Sequence, residues 1–251
     1  MSGVENRIAM VTGAGRGIGR VTAEILASRG AKVMCVSRTE SELESVGLDF
    51  VAADLGTEKG CAHAVRETEE RLGPIDIFVC NHGIGSAHEK VVWEQTTEIW
   101  AETMRINLDG PFYLSRLVMK GMVERNYGRM VFTSSTAGLL PEDAGCAYNS
   151  SKHGLIGLMR SCAQDGGAYS ITSNAVLPGW VRTAMAERSA AQEAIDRDIT
   201  KDEVWAERSS MYKPGRVATQ EEVAEMIAFF CSDESSGVSG EAIRVALGSP
   251  W

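Results

Sequence analysis

The stretch Arg7-Ile8-Ala9-Met10-Val11-Thr12-Gly13-Ala14-Gly15-Arg16-Gly17-Ile18-Gly19 decides how the chain is to be read. An apolar run of strand length ends at Thr12, glycines occupy every second position from Gly13 to Gly19, and helical spacing follows at once. A pyrophosphate group needs close backbone approach and a helix N-terminus aimed at it, and glycines permit both. The spacing is TGxxxGxG and not the commoner GxGxxG, because Ile18 stands where the third glycine of that pattern falls.

Outward from this turn, β-rich apolar runs alternate with helical patterns. Strands are predicted at Arg7–Thr12, Lys32–Ser37, Phe50–Ala53, Ile75–Cys80, Arg129–Ser134, Ser173–Leu177 and Ala242–Ala246. Helices are predicted near Gly17–Arg29, Ser41–Val46, Lys59–Leu72, Thr97–Arg125, Tyr148–Ala163 and Gln220–Cys231. Continuous apolar strands between helices predict an α/β fold: a Rossmann-like, doubly wound parallel sheet of about seven strands with helices on both faces. No repeat or Pro/Gly/Ser-rich linker divides residues 1–251, so a single domain is expected. The segment Arg182–Pro214 breaks the alternation after the sixth strand, where a substrate lid would sit.

Composition narrows the function classes. A formal charge of −9 disfavours a surface that tracks nucleic-acid phosphates. No apolar run approaches the roughly 20 residues needed to cross a bilayer. The N-terminal residues carry no apolar targeting pattern, and a cytoplasmic protein is expected. Six cysteines are scattered without paired spacing, which predicts free thiols. His63, His88 and His153 have no metal-ligand spacing either, so no metal is expected.

Two further groups carry chemistry. Tyr148 and Lys152 are four residues apart, on one face of a helix, so that an ammonium near the phenol would favour its ionised form. Ser134 and Ser135 end the fifth strand at the carboxyl edge of the sheet, where open α/β folds bind ligands and a hydroxyl can serve a developing oxyanion. A pair four apart or a strand-end serine is common by chance; the ordered combination is not.

In order, the chain has the glycine turn at Thr12–Gly19, Asp54-Leu55, Asn81-His82-Gly83, Asn107, Ser135, Tyr148, Lys152, and Pro178-Gly179 followed by Thr183. This set resembles the short-chain dehydrogenase/reductase family, from about Arg7 to Leu247. The resemblance implies an oxidoreductase that moves a hydride between a nicotinamide cofactor and a ketone or secondary alcohol. It implies Ser135 as the serine that orients substrate, Tyr148 as general acid or base, and Lys152 on the nicotinamide ribose. Asn107 would hold a water that links Lys152 to solvent. Gly13, Gly15, Arg16, Gly17, Ile18 and Gly19 would cradle the dinucleotide, with Asp54 and Leu55 at the adenine, Asn81 and Gly83 beyond the fourth strand, and Pro178, Gly179 and Thr183 at the nicotinamide. A homotetramer, or a homodimer, built on the helices Thr97–Arg125 and Tyr148–Ala163 is also implied.

NADP(H) is the expected cofactor. The second strand ends in Ser37-Arg38, without the acid that would accept from both ribose hydroxyls and repel a 2′-phosphate. Arg38 and Arg16 would converge on that phosphate. The substrate is expected to be lipophilic or ring-bearing, met by Leu139, Leu140, Cys146, Trp180, Met185, Trp205, Met211 and Tyr212.

Departures qualify the resemblance. His82 stands where the family commonly has a small residue, a hydrogen-bonded half-buried histidine being the ordinary outcome. The C-terminus, Leu247-Gly248-Ser249-Pro250-Trp251, lacks the usual Asp-Gly-Gly ending. Carrier-protein reductases of the family dock their acidic carrier through a basic residue in the connection that is here Gln164–Ser170, which has none, and through the position of Arg129, which is present. A 3-oxoacyl-(acyl-carrier-protein) reductase is thus the alternative enzyme. A non-catalytic dinucleotide-binding regulator is the competing class, and such relatives lose the tyrosine or lysine that this chain keeps.

Overall fold

A computed structural model describes residues 3–86 and 89–249. Seven strands are present: β1 Ile8–Thr12, β2 Lys32–Ser37, β3 Asp49–Ala52, β4 Ile77–Cys80, β5 Gly128–Thr133, β6 Ile171–Pro178 and β7 Ala242–Val245. They pair in the order β3-β2-β1-β4-β5-β6-β7, every pairing parallel. The chain moves outward from β1 on one side and from β4 on the other. A crevice therefore opens at the carboxyl ends of β1 and β4, where a doubly wound sheet binds its ligand.

Alternate residues of each central strand feed opposite layers. Met10, Phe78, Cys80, Met130 and Phe132 face one layer, formed with α3 (Glu58–Leu72), α5 (Gly110–Arg125) and α6 (Cys146–Gly166). Ala9, Val11, Ile77, Val79 and Val131 face the other, formed with α1 (Gly17–Ser28) and α9 (Gln220–Cys231). Every residue of β1, β4, β5 and β6 is buried, which is why β1 and β4 carry almost no polar residue, while the polar residues Ser173 and Asn174 of β6 are hydrogen-bonded to the Met159 and Val238 carbonyls.

The remaining helices are α2 (Glu40–Glu44), α4 (Thr97–Met104), α7 (Ala184–Asp196) and α8 (Lys201–Ser210). Thr200 and Thr219 start α8 and α9 as capping boxes with Glu203 and Glu222. Both α7 and α8 lie within the expected lid segment.

One predicted element is corrected. The helix expected over Thr97–Arg125 is broken by a π turn at Arg105–Asp109, where the Gly110 N–H reaches back to the Arg105 carbonyl. Pro111 is the physical cause, since it lacks the N–H that an α-helix would direct at the carbonyl of Asn107. A side chain on Gly110 would also collide with the Leu55 carbonyl, so the chain passes the third strand's loop at backbone distance. Strand ends shift by one to two residues from their predicted positions, and α6 extends beyond Tyr148–Ala163 at both ends.

Phe132 is fully buried and meets Phe78 edge to face, centroids 6.1 Å apart. Phe132→Ala should cost about 3–5 kcal/mol, read as a lower denaturation midpoint in urea; a loss below about 1 kcal/mol would contradict this packing.

Candidate active site

The glycine turn is built as its sequence demands. Gly13 (φ +66°) and Gly17 (φ +62°) are left-handed, which disfavours any side chain. Gly19 packs so closely that a Cβ would collide with the Gly13 carbonyl and the Asn81 amide. Helix α1 then begins at Arg16 without a side-chain cap and without an acid in its first turn. Its first N–H groups are open to an anion.

Thr12 joins this turn to β4. Its hydroxyl donates to the Val79 carbonyl (3.1 Å) and accepts from the Asn81 N–H (2.9 Å), while Nδ1 of His82 lies 2.9 Å away. The Asn81 side chain donates to the carbonyls of Thr12 and Gly13. Burial, with the charges of Lys152 and Arg38, pushes His82 down to about 3, so its ring is neutral and serves as a brace.

Ser37 Oγ is buried without a partner and lies 3.2 Å from the place a Gly15 Cβ would take. Arg38 is exposed and makes no ion pair among the described residues. Arg16 does not join it: its guanidinium is paired with Glu42 on α2. The short helix after β2 brings that carboxylate beside the turn.

Asp54 is held below its usual range. Burial opposes this, but the Gly56 N–H and the Arg105 guanidinium outweigh it. The Leu55 side chain packs in the core, 3 % exposed, and its carbonyl accepts from the Cys61 thiol (3.2 Å). Thr183 caps α7 through the Ala186 N–H, and its methyl lies 3.6 Å from the place a Gly17 Cβ would take. Gly179 follows Pro178 at the end of β6, and a Cβ there would collide with the Tyr212 hydroxyl.

Beyond β4 and β5 the reactive groups converge. Ser135 Oγ accepts from the Ala137 N–H (3.1 Å) and draws the pKa of the Tyr148 phenol downward. Ser134 is spent on the Lys152 carbonyl (3.0 Å). Lys152 is 5 % exposed, donates to the Thr133 carbonyl (3.1 Å), and lies 5.6 Å from the Tyr148 ring centre. Burial pushes it down to about 8. The Asn107 side chain closes a two-way pair with the backbone of Ile84 and also donates to Ser151.

The phenol departs from the expectation that Lys152 depresses it. Burial foremost, with the negative charges of Glu142 and Glu89, pushes Tyr148 upward, and only the Ser135 hydrogen bond pulls against them. Tyr148 therefore carries its proton at neutral pH.

The substrate residues divide. Leu139, Leu140, Met185 and Met211 are exposed, and Met185 touches Gly85 across the crevice. Trp205 and Tyr212 are 2 % and 3 % exposed and do not face it. Trp205 packs α7 on α8, and Tyr212 accepts from the Trp180 N–H (2.7 Å). Arg208 stacks 3.6 Å from the Trp180 ring centre, which spends that face of the indole inside the α7–α8 pair. Cys146 is two residues from Tyr148, about 200° around α6, and lines an outer depression of about 430 Å³ with Val92, Trp100 and Ser150.

Arg129 is likewise corrected as a docking residue. It is 5 % exposed, and its guanidinium donates to the carbonyls of Ser232, Gly128 and Ser170 and to Asp233. All six cysteines are free. Among the described residues no helix is long and apolar enough to cross a membrane, and no three metal-ligating side chains cluster. His88, Pro250 and Trp251 lie outside the described residues.

A nucleotide-type sheet edge that brings a serine, a tyrosine and a lysine to one crevice defines a dehydrogenase or reductase of the short-chain type. The family model described as enoyl-(acyl carrier protein) reductase matches residues 13–249. The chain belongs to the short-chain dehydrogenase/reductase family of oxidoreductases. It is 32% identical to 3-oxoacyl-(acyl-carrier-protein) reductase FabG of Escherichia coli, with 96% of each chain covered. A Streptomyces virginiae protein named for ketoacyl reduction in monensin polyketide synthesis is 34% identical over 97% of each. Among solved structures, levodione reductase matches with a TM-score of 0.93 at 30% identity, covering 97% of each chain. A single-residue variant of actinorhodin polyketide ketoreductase, solved with NADPH, matches at 0.90 and 29%, covering 98% of each.

Thr12→Val keeps the volume and removes the hydroxyl, leaving the Asn81 N–H and the His82 ring unpaired. A loss of about 1–3 kcal/mol is expected, measured by chemical denaturation; unchanged stability would contradict the role of Thr12 as the joint between β1 and β4.

Proposed function

We propose that the chain is an NADP(H)-dependent oxidoreductase acting on a ketone or secondary alcohol, with Tyr148 giving a proton to the carbonyl oxygen in reduction and recovering it in oxidation. The observation that carries this reading is the meeting of Ser135 at the end of β5 with Tyr148 and Lys152 on α6, the Lys152 ammonium 5.6 Å from the Tyr148 ring centre, while burial holds the proton on the phenol. Two O–H groups then serve one position, where a carbonyl oxygen gaining negative charge would sit.

The residues fit a dinucleotide. The left-handed glycines and the uncapped start of α1 suit a pyrophosphate, and the orphaned Ser37 hydroxyl beside the unpaired Arg38 suits a 2′-phosphate. When bound, the cofactor supplies the hydride. Gly13, Gly15, Gly17, Ile18 and Gly19 would hold its phosphates, and Asp54 with the Leu55 backbone would hold its adenine. Asn81, Gly83, Pro178, Gly179 and Thr183 would line its path to the nicotinamide, and Lys152 would bond the ribose. Asn107 would keep a water near Lys152 through the carbonyl that Pro111 leaves free. The relative solved with NADPH supports the cofactor.

Leu139, Leu140 and Met185 give the crevice an apolar rim, which supports a lipophilic or ring-bearing substrate. The second reading, a carrier-bound 3-oxoacyl substrate, draws on the FabG relative. The buried and fully engaged Arg129, with no basic residue in Gln164–Ser170, favours a free substrate over a docked carrier. The chain would work as one domain with residues 182–214 as lid, in a reducing cytoplasm that suits its free thiols. It would work as a homotetramer or homodimer through the face bearing Trp100 and Phe112, both 40% or more exposed. Light scattering should then return an oligomer at micromolar concentration; a monomer would reject the assembly.

Tyr148→Phe should lower kcat by about 10²–10⁴-fold while dinucleotide Kd stays near the parental value. Lys152→Ala should damage both. Retention of most of the activity in Tyr148→Phe would refute the mechanism. For the cofactor, one charge-assisted contact from Arg38 gives the parent at least about a tenfold preference for NADPH in kcat/KM. Ser37→Asp combined with Arg38→Leu should move that ratio toward NADH, and equal use of both cofactors by the parent would overturn the assignment.

A further inference from the structure

Helix α6 carries Tyr148 and Lys152, yet it begins at Gly145, which has no side chain to cap it. The N–H groups of Ala147 and Tyr148 would be orphans of the first turn. Both are satisfied from far away in sequence. Glu89, in the segment after β4, accepts from the Ala147 N–H with one carboxylate oxygen (2.8 Å) and from the Tyr148 N–H with the other (2.7 Å). A carboxylate is also the charge that the positive end of a helix favours. The chain leading to Glu89 is held at a second point, where Ile84 pairs with the Asn107 side chain.

We infer that Glu89 is a positioning residue for the proton transfer, fixing the backbone of Ala147 and Tyr148 with one oxygen each and setting a negative charge at the tyrosine end of α6. The inference rests on the reading that Tyr148 carries the proton. A cap supplied by the helix itself would steady α6 alone, whereas Glu89 also ties α6 to the β4 segment whose Gly83 lies beside Lys152 and Asn107. The charge acts on the phenol as well. The groups that face Tyr148 are Ser135 from the end of β5, Glu142 from the turn before α6, Glu89, and Lys152 on its own helix. After burial, Glu142 and Glu89 hold the proton on the phenol, against the pull of Ser135. Glu89 is itself pushed upward by burial, with its two N–H donors working against that shift.

The test compares the parent with Glu89→Gln, Glu89→Asp and Tyr148→Phe, measuring kcat against pH in both directions, dinucleotide Kd and thermal stability. Glu89→Gln removes the charge and turns an amide N–H₂ toward a backbone N–H. Its kcat should fall by about 10–100-fold, as for a misplaced reacting group, with dinucleotide Kd within about twofold of the parent. Without the negative charge the phenol loses its proton more readily. The alkaline fall in reduction and the rise in oxidation should therefore both move to lower pH, by at least about 0.5 unit. Glu89→Asp keeps the charge and should retain the parental pH limbs with part of the rate. Parental kcat in Glu89→Gln, or a loss of rate with unmoved pH limbs, would overturn the inference. If Glu89→Gln is too unstable to assay, parental kcat in Glu89→Asp or pH limbs shifted in that variant would do the same. If Tyr148→Phe is active, the underlying reading fails; if Tyr148→Phe is dead and Glu89→Gln matches the parent, only the inference fails.

Discussion

The hydroxyl of Thr12 holds the two halves of the sheet to one geometry. Parallel strands leave their carboxyl ends without further ladder partners, and at the crevice between β1 and β4 those ends must still satisfy their backbone groups. Thr12 does this with one oxygen, buried and shared among the Val79 carbonyl, the Asn81 N–H and the His82 ring. Because Asn81 in turn grips the carbonyls of Thr12 and Gly13, the glycine turn cannot move independently of β4. The placement of the uncapped α1 against the segment that carries Gly83 follows from that joint.

The fold was legible in the sequence because it is written in local terms. A doubly buried parallel strand must be apolar throughout, and a turn with left-handed residues must use glycine, so both leave marks in short windows of sequence. Ser135, Tyr148 and Lys152 were legible for a related reason, since strand ends and helix faces place them at one edge. The π turn was less visible. Helical periodicity runs across Arg105–Asp109, and only Pro111 signals that one carbonyl must lose its donor.

What remained hidden depends on side chains meeting across long sequence separations. Arg16 and Glu42 are 26 residues apart, and nothing local says that the guanidinium turns toward that acid. Arg129 is polar in sequence yet buried in structure, because three carbonyls and Asp233 enclose it. Trp205 and Tyr212 were grouped with the crevice by their aromatic character, but aromatic rings are equally suited to packing, and Arg208 spans the rings of Trp180 and Trp205 within the α7–α8 pair. Glu89 left one usable trace: a helix that starts after glycine, with no capping side chain, requires acceptors from elsewhere.

The cysteines give the molecule a chemical durability that its reaction does not call for. Burial pushes the thiols of Cys35 and Cys61 up to about 12 and that of Cys162 to about 11, with Cys80 and Cys231 higher still. A thiol near 11 is ionised to roughly one part in ten thousand at neutral pH, and oxidants and alkylating agents act on the ionised form. Cys146 is the half-buried one, lining the outer depression with Trp100 and Ser150. Thiol reagents acting on the native protein thus meet Cys146 before the five buried cysteines, whose sulfur atoms serve as packing material.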